Sequence, residues 1–509
     1  MLTEQIDEAA ACRGDAPYLE DAASAATLTY AGLQESVRAW ARHLDEAGIP
    51  PGARVAVRLP DPFGYAGALV GILAAGRVAV PLDPGAPAGD VARVLKVAQP
   101  MALIGDDPGA GLDPAPPPAP AAGRGGIFLC TSGTTGTPKG ILLREDQLMH
   151  VAGSVTAHHR LTPADRGYCC LPLFHINAEV VGLLATLAAG ASLVVDGKFS
   201  RRGFWELIET RQITWINAVP AIITILAMDP PVATPGRVRF IRSASAPLAP
   251  SALRRFEETF GIPVVETYGM TEAASMITAN PLDGPRKAGS AGRPAGTEIR
   301  VVSRDGDLLQ SCPPGTIGRV QIRGPGVITE YAAGGPAGAI DADGWLETGD
   351  LGHLDQDGYL FLAGRSDDVI NRGGEKIYPR EIEEFLLTQP GVRSAVVVAA
   401  SDKVLGQRPV ADVVPAGSPE FRDSPDLADP ADPAGLAGLA RGVLDGVAPA
   451  QAAHRVPPGA GAASRRDGQG LPAPAAGAGR DAWLTLAHFL RIPPESGATA
   501  VTAPRDRVS

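Results

Sequence analysis

A stretch rich in glycine and hydroxyl groups at residues 131–140, TSGTTGTPKG, constrains the fold most strongly. Apolar runs at residues 126–130 and 141–143 flank it, which predicts a loop between two buried strands. Glycines let backbone N–H groups point at an anion, while hydroxyls and a lysine add donors and charge. We interpret the stretch as a cradle for phosphate groups, although it does not contain the Walker pattern. A flexible turn between two strands is the alternative.

The patterns before this loop alternate between helix and strand. Amphipathic or small-residue segments at residues 33–47 and 66–76 predict helices, and apolar runs at residues 54–59 and 78–82 predict strands. Residues 105–125 are rich in Pro, Gly and Ala, which predicts a long connection to the phosphate loop. Such alternation predicts a layered α/β domain.

Composition narrows the class of protein. A chain of 509 residues is too long for one core, so we expect two or more domains. The net charge of −11 argues against nucleic acid or an anionic membrane as the main partner. The five cysteines show neither metal-ligand spacing nor a disulfide framework, and the N-terminus has no signal-peptide pattern. The longest apolar run, residues 180–195, is short for a membrane span. We therefore expect a cytoplasmic protein without a membrane span.

Further motifs follow the phosphate loop in a fixed order. They are LPLFHIN at residues 171–177, ETYGMTE at 266–272, GWLETGD at 344–350, GRSDD at 364–368 and NRGGEKI at 371–377. Taken alone, each has a structural explanation as a surface turn or, for His175, as a buried core residue. Their order and separations are what carry a resemblance to a known family.

With these motifs the chain resembles the adenylate-forming enzymes, which include acyl-CoA synthetases, nonribosomal-peptide adenylation domains and luciferases. The resemblance covers residues 20 to 415 and implies a large layered α/β N-terminal domain and a small α+β C-terminal domain on a hinge. We expect the N-terminal domain at residues 1–366 and the start of the C-terminal domain at 367–415. An atypical tail then follows at residues 416–509.

The resemblance also implies roles for individual residues. The catalytic residues are Lys139, His175, Thr271 and Glu272, and Glu272 also holds Mg²⁺, a hard cation that suits a carboxylate. Asp367 is the hinge. The acyl pocket contains Asn177, Ser275 and Met276. The cofactor-binding residues, from the phosphate loop to the loop that lines the pantetheine tunnel, are Thr131, Ser132, Gly133, Thr134, Thr135, Gly136, Ser243, Ala244, Ser245, Tyr268, Asp350, Arg365, Gly373, Gly374 and Lys376.

The implied reaction has two halves and uses ATP, Mg²⁺ and coenzyme A. A small or medium carboxylic acid attacks the α-phosphorus of ATP, giving an acyl-adenylate and pyrophosphate, and the CoA thiol then displaces AMP. Two alternatives stay open. The acyl group could pass to the thiol of a carrier protein, or the chain could be a nucleotide-binding relic without activity.

Several segments resemble the oxalate–CoA ligase subgroup, among them IRS at residues 241–243 and INRGGEKI at 370–377. Where that subgroup carries a histidine after the Thr-Glu pair, this chain has Ala274-Ser275-Met276. A dicarboxylate needs a second cationic or strong donor group. We therefore expect a monocarboxylate to be used better than oxalate. No aspartate stands where amino-acid-loading domains hold an amino group, which argues for a non-amino acid.

The C-terminal tail departs from the family. The resemblance implies a Lys-Arg-Pro segment and a later Gly-Lys motif whose lysine serves adenylation, yet no lysine occurs after Lys403. A disordered low-complexity tail is one interpretation. The other is a shift of reading frame between about residues 415 and 435. With suitable codons, skipping one nucleotide turns residues 467–472 into Thr-Gly-Lys-Val-Ser-Arg and residues 451–453 into Lys-Arg-Pro.

Overall fold

The computed structural model describes residues 2–24, 26–105, 125–131, 139–228, 236–305, 308–389 and 392–415. Most of the predicted connection at 105–125, part of the phosphate loop and the whole tail at 416–509 lie outside these residues. The α-helices are α1 (Leu2–Arg13), α2 (Tyr30–Glu46), α3 (Pro62–Ala74), α4 (Ala88–Ala98), α5 (Glu145–His159), α6 (Ala185–Ala188), α7 (Phe204–Thr210), α8 (Pro220–Met228), α9 (Pro250–Phe260) and α10 (Pro379–Leu387).

A π-helix, Asn177–Leu184, and a short 3₁₀-helix, Thr271–Ala273, complete the described helical segments. The first strands are β1 (Pro17–Asp21), β2 (Thr27–Thr29), β3 (Arg54–Arg58), β4 (Val78–Pro81), β5 (Ala102–Gly105), β6 (Gly126–Thr131), β7 (Lys139–Arg144), β8 (Arg166–Cys169), β9 (Ser192–Val195), β10 (Trp215–Ala218), β11 (Phe240–Ser243) and β12 (Val264–Met270). The later strands are β13 (Ser275–Ala279), β14 (Arg293–Pro294), β15 (Glu298–Asp305), β16 (Leu308–Ser311), β17 (Gly318–Arg323), β18 (Leu346–Leu354), β19 (Leu360–Arg365), β20 (Ile370–Arg372), β21 (Glu375–Ile377), β22 (Val392–Asp402) and β23 (Gly406–Pro415).

Two mainly parallel sheets build the N-terminal part of the fold. The larger has the order β14-β13-β12-β11-β10-β8-β9-β1-β2, and its six central strands, from β12 to β1, are parallel. The second has the order β5-β3-β4-β6-β7, in which only the β6–β7 pair is antiparallel. This arrangement confirms the layered α/β class predicted from the alternating sequence patterns.

Capping residues explain why two helices begin earlier than their apolar patterns predict. The Thr29 side chain accepts a hydrogen bond from the Gly32 N–H, so α2 starts at Tyr30 rather than at residue 33. Asp61 accepts from Gly64 N–H at 2.6 Å and is followed by proline, so α3 starts at Pro62 rather than at residue 66. Each cap satisfies backbone donors that have no partner within the helix.

The apolar run at residues 180–195 belongs to the core. It forms most of the π-helix, α6 and β9, whose side chains are nearly all buried. Within the described part of the chain, no helix is both long and apolar enough to cross a bilayer.

The chain divides into two compact units. Among the described residues, the first comprises those within Met1–Val302, Val320–Thr348 and Leu354–Phe361, and the second comprises those within Ser303–Arg319, Gly349–His353 and residues 362–415. The second contains the four-stranded sheet β21-β20-β23-β22, with α10 packed against β22 around a small core of its own. The remaining sheet has the order β16-β15-β17-β18-β19. The single domain boundary expected after residue 366 stays a prediction.

Candidate active site

A cleft of about 660 Å³ opens in the first unit at the carboxyl ends of parallel strands from both sheets. Ligands bind at this edge in open α/β sheets, because loops diverge there and leave a crevice. The residues that line the cleft are Pro81, Leu82, Asp83, Ala86, Asp90, Val91, Val94, Leu129, Cys130, Thr131, Leu171, Pro172, Phe174, His175, Ile176, Asn177, Val219, Arg242, Ala244, Ser245, Gly269, Met270, Thr271 and Ser275.

The cleft brings together predicted residues that are far apart in the sequence: Thr131, His175, Asn177, Ala244, Ser245, Thr271 and Ser275. Met276 does not line the cleft, and its role in the acyl pocket stays a prediction. Its side chain is fully buried in the core, because Ser275 and Met276 are successive residues of β13 and point to opposite faces of the sheet. Ser243 is also buried and does not line the cleft, and its hydroxyl has no hydrogen-bond partner among the described residues.

Arg242 lines the cleft, and the site prediction omitted it. It is only 1% exposed at the end of β11, yet it lines the cleft. Its Nη1 donates to Asn177 Oδ1 at 2.7 Å and to Asn217 Oδ1 at 3.1 Å, while its buried Nε has no partner. No described carboxylate forms a salt bridge with it. A buried guanidinium held only by neutral amides is an incomplete ion pair that favours an anion in the cleft.

The charge of Arg242 persists at neutral pH. Burial lowers the pKa of its guanidinium to about 9. The monocarboxylate prediction rests on the neutral Ser275, which stands where a cation would help, and it stays a prediction. Arg242 lines the same cleft as Ser275 and brings a cation to it.

The connection from β8 to the π-helix carries His175 and Asn177. His175 lies at the exposed rim of the cleft, where partial burial lowers its pKa below the usual 6.5, and Asp83 opposes that shift. The ring is therefore mainly neutral at neutral pH, which suits a hydrogen-bonding group rather than a cation. Asn177 begins the π-helix, and its Nδ2 lies 3.4 Å from Ser245 Oγ. Such wide turns are frequent at functional sites.

The turn after β12 places Thr271 and Glu272. Its backbone is strained, since Ala274 and Ser275 have φ values of +50° and +98°. Gly269 permits the close approach of this turn, because a Cβ at residue 269 would lie 1.6 Å from the Ser275 carbonyl oxygen. Thr271 consequently faces the cleft. Glu272 is 93% buried, and Tyr331 Oη donates to its Oε1 at 3.1 Å. Tyr268, on the same strand, is half-buried.

Glu272 fits the Mg²⁺ role. Among the described residues its carboxylate has this one hydrogen bond, which leaves Oε2 as a ligand oxygen. The described residues contain no cluster of three or more His, Cys, Asp or Glu that could hold an ion. Mg²⁺ commonly binds through one or two carboxylates plus phosphate oxygens and water, so a single carboxylate suits a metal that arrives with a nucleotide.

Only the ends of the predicted phosphate cradle are described. Thr131 ends β6 and Lys139 begins β7, and the two residues pair across the antiparallel ladder. This pairing confirms that the loop connects two neighbouring strands. Ser132, Gly133, Thr134, Thr135 and Gly136 lie outside the described residues.

The second unit contains the predicted ribose and pantetheine residues. Arg365 Nη1 donates to Asp350 Oδ1 at 3.3 Å, so these two side chains form one group. Gly373 and Gly374 turn the chain between β20 and β21 with φ values of +59° and +96°, which favour glycine. Lys376 and Asp367 are exposed. The roles of all these residues stay predictions.

Sequence comparison identifies the family. The family model for AMP-binding enzymes matches residues 6–332, and the model for their C-terminal domain matches residues 381–452. The chain is 39% identical to sulfoacetate–CoA ligase of Cupriavidus necator over 79% of this chain and 85% of that protein. It is 36% identical to oxalate–CoA ligase of Arabidopsis thaliana over 76% of this chain and 84% of that protein.

Solved structures agree with this assignment. O-succinylbenzoate coenzyme A synthetase of Bacillus subtilis, in complex with ATP and magnesium ion, superposes with a TM-score of 0.71. The two are 28% identical, over 82% of this chain and 91% of that one. ATP-bound MatB of Rhodopseudomonas palustris gives a TM-score of 0.74 at 27% identity, over 88% and 92% of the two chains. The chain described here belongs to the AMP-binding enzyme family.

Proposed function

We propose that this AMP-forming acid–CoA ligase activates a short carboxylic acid that carries a second anionic group. The enzyme uses ATP, Mg²⁺ and coenzyme A and takes a small carboxylic acid as substrate. The observation that carries the finer proposal is Arg242, a buried cation in the wall of the cleft with no carboxylate partner among the described residues. A substrate with a second carboxylate or a sulfonate completes that ion pair.

The cleft contains polar side chains that can bind an acid. Asn177, Ser245 and Ser275 line the cleft together with Arg242, and such neutral hydrogen-bonding groups can orient an anion without repelling it. Thr271 and His175 line the same cleft and are the candidate contacts for the reacting carboxylate. Holding the acid at both ends fixes the attack geometry, which is the main contribution a protein makes to this kind of phosphoryl-group chemistry.

Residues other than Arg242 would neutralise the negative charge of the ATP phosphates. Lys139 would contribute positive charge at the exit of the phosphate loop. Mg²⁺ held by Glu272 would neutralise phosphate oxygens while the carboxylate attacks. Release of pyrophosphate leaves the acyl-adenylate, and attack by the CoA thiol then gives the thioester and AMP.

The names of the relatives support the choice of acid. Sulfoacetate and oxalate, the acids named in the two relatives described above, each carry a second acidic group on a very short chain. Ser275 does not argue against such acids, because Arg242 provides the charge that this neutral residue lacks.

A substrate panel tests the proposal. Sulfoacetate, oxalate, malonate and succinate would be compared with acetate, propionate and butyrate by CoA-dependent AMP release. We expect the highest kcat/KM for a dianionic acid. In Arg242→Met, loss of charged hydrogen bonds lowers that value by roughly 10- to 100-fold and leaves the monocarboxylates little changed. Arg323→Met, at a half-buried arginine outside the cleft, is the control. Equal loss for both classes of acid contradicts the role of Arg242.

The acyl acceptor and the location are separate questions. We propose free CoA as the acceptor rather than a carrier-protein thiol, because the relatives described above are named as CoA ligases. Formation of acyl-CoA from purified enzyme, acid, ATP and CoA supports this. AMP release that needs an added carrier protein contradicts it. A cytoplasmic location, where ATP and CoA are available, remains part of the proposal.

A further inference from the structure

Tyr331 lies between two residues with proposed roles in nucleotide binding. Its hydroxyl donates to Glu272 Oε1 at 3.1 Å. The Lys139 ammonium lies 5.7 Å from the centroid of its ring, within the range of a cation–π contact. One side chain therefore contacts the candidate Mg²⁺ ligand through its polar tip and the candidate phosphate-binding lysine through its face.

Backbone hydrogen bonds fix the segment that carries Tyr331. Gly140 N donates to Ala333 O at 2.8 Å, and Ala332 N donates to Gly140 O at 2.9 Å, which ties the segment to the exit of the phosphate loop. At its other end, Ile328 N donates to Glu272 O at 2.9 Å. The segment from residue 328 to 333 thus connects the backbone next to Lys139 with the backbone of Glu272.

Two glycines allow this close packing. A Cβ at Gly140 would lie 2.6 Å from Phe128 Cζ and 3.2 Å from Ala333 Cβ, so a side chain there would push the segment away. A Cβ at Gly335 would lie 2.2 Å from Tyr331 Cγ. The ring of Tyr331 therefore rests on the bare backbone of Gly335, which gives the ring a defined position.

We propose that Tyr331 is a positioning residue that holds Glu272 and Lys139 in the arrangement required for MgATP. The inference rests on the proposed nucleotide-binding roles of those two residues. The phenol engages one carboxylate oxygen of Glu272 and so orients the other toward the metal, as hydrogen-bond partners of metal ligands generally do. The ring face attracts the Lys139 ammonium and limits its range of positions.

Direct binding measurements test this role without relying on catalysis. Calorimetry would give the Kd of ATP with excess Mg²⁺ and with EDTA for the wild type, Tyr331→Phe and Glu272→Gln. Tyr331→Phe keeps the ring and removes the hydroxyl, so we expect the Kd of MgATP to rise about tenfold. The Kd of metal-free ATP should stay the same.

The chain offers a matched control. Tyr359 also donates its hydroxyl, to Pro285 O at 2.6 Å, and has the Lys287 ammonium 4.5 Å from its ring centroid. Its partners are not nucleotide-binding candidates, so Tyr359→Phe should bind MgATP like the wild type. Gly335→Ala displaces the Tyr331 ring instead of removing its hydroxyl. It should weaken metal-free ATP binding as well, because Lys139 loses its contact.

The outcomes separate the inference from the site on which it rests. If Glu272→Gln weakens MgATP binding and Tyr331→Phe does not, the role of Tyr331 is refuted and that of Glu272 stands. If neither variant changes the Mg²⁺ dependence, the assignment of Glu272 itself fails. The unfolding temperature of each variant shows whether weaker ATP binding comes from loss of the folded state. Unfolding would weaken ATP binding with and without metal, so a loss of affinity in Tyr331→Phe that is absent in EDTA has another cause.

Discussion

Arg242 donates its shortest hydrogen bond, 2.7 Å, to the amide oxygen of Asn177. The bond joins the end of β11 to the start of the π-helix, two elements that both border the cleft. Asn177 supports the guanidinium without neutralising it, so the positive charge remains available to a ligand. A carboxylate in place of the Asn177 amide would pair with the guanidinium and neutralise its charge.

This relationship predicts the effect of Asn177→Asp, which changes charge and hardly changes shape. The new carboxylate pairs with Arg242 and raises its pKa, and it repels the second anionic group of the acid. We expect kcat/KM for the best dianionic acid to fall by roughly 10- to 100-fold. The unfolding temperature should rise, because a buried charge gains a partner. Asn177→Ala is the control for loss of the amide alone. An unchanged preference for dianionic acids in Asn177→Asp contradicts the proposal.

Glu179 gives a prediction about pH and stability. It is fully buried in the π-helix, both of its carboxylate oxygens lack hydrogen-bond partners among the described residues, and burial raises its pKa well above 4.5. Below about pH 4.5 the folded and unfolded states both hold the proton. Above that pH the unfolded chain loses it while the folded chain keeps it, so the group lowers stability as pH rises.

Glu179→Gln removes this titration. We expect the unfolding temperature of the variant to exceed that of the wild type by more at pH 8 than at pH 5. Thermal scans of both proteins at the two pH values measure this difference. Each unit of pKa difference between the two states corresponds to about 1.4 kcal/mol, so the gain should be measurable. Tyr65→Phe, at a neighbour whose raised pKa lies above this window, should show no such change. If the difference in unfolding temperature between the wild type and Glu179→Gln is the same at both pH values, the Glu179 carboxyl is already charged in the folded protein at pH 5.

The pair Asp350–Arg365 predicts discrimination between ATP and 2′-deoxy-ATP. A carboxylate can accept from both ribose hydroxyls, and Arg365 orients it from 3.3 Å. We expect the wild type to have a KM for 2′-deoxy-ATP roughly tenfold above that for ATP, the value of one charged hydrogen bond. Asp350→Asn should reduce this ratio toward one. Equal KM values for the two nucleotides in the wild type rule out the ribose contact.

Local sequence patterns predicted the parts of the site that local structure determines. The phosphate loop connects β6 and β7 as its flanking apolar runs indicated, and the turn at Gly373 and Gly374 connects two paired strands. Arg242 and Tyr331 could not be predicted in this way. Arg242 depends on Asn177, 65 residues away, and Tyr331 meets Glu272 across 59 residues. Alternation along a short buried strand does not tell which face borders a cleft, so the sequence could not show that Ser275 lines the cleft while Met276 lies in the core.

The tail at residues 416–509 carries the remaining expectation, and it lies outside the described residues. The resemblance implies a late lysine that donates to the reacting carboxylate and the α-phosphate as charge develops. No lysine occurs in the sequence beyond Lys403. Shifted by one nucleotide, suitable codons place lysines at the positions of Gln451 and Gln469, both within motifs that the family implies.

Restoring that frame upstream of Gln451 should therefore increase the rate of adenylation. Loss of one preorganised donor typically costs roughly 10²–10³ in rate, so we expect a gain of at least about 10²-fold in acid-dependent pyrophosphate exchange. ATP binding should change little, because the cleft and Lys139 belong to the unaltered part of the chain. In the restored protein, replacing the lysine at the position of Gln469 with alanine should return the rate to that of the present chain. Resequencing the gene tests the frame directly. If the sequence is confirmed and the present chain exchanges pyrophosphate as fast as the restored one, neither the frameshift nor the requirement for that lysine holds.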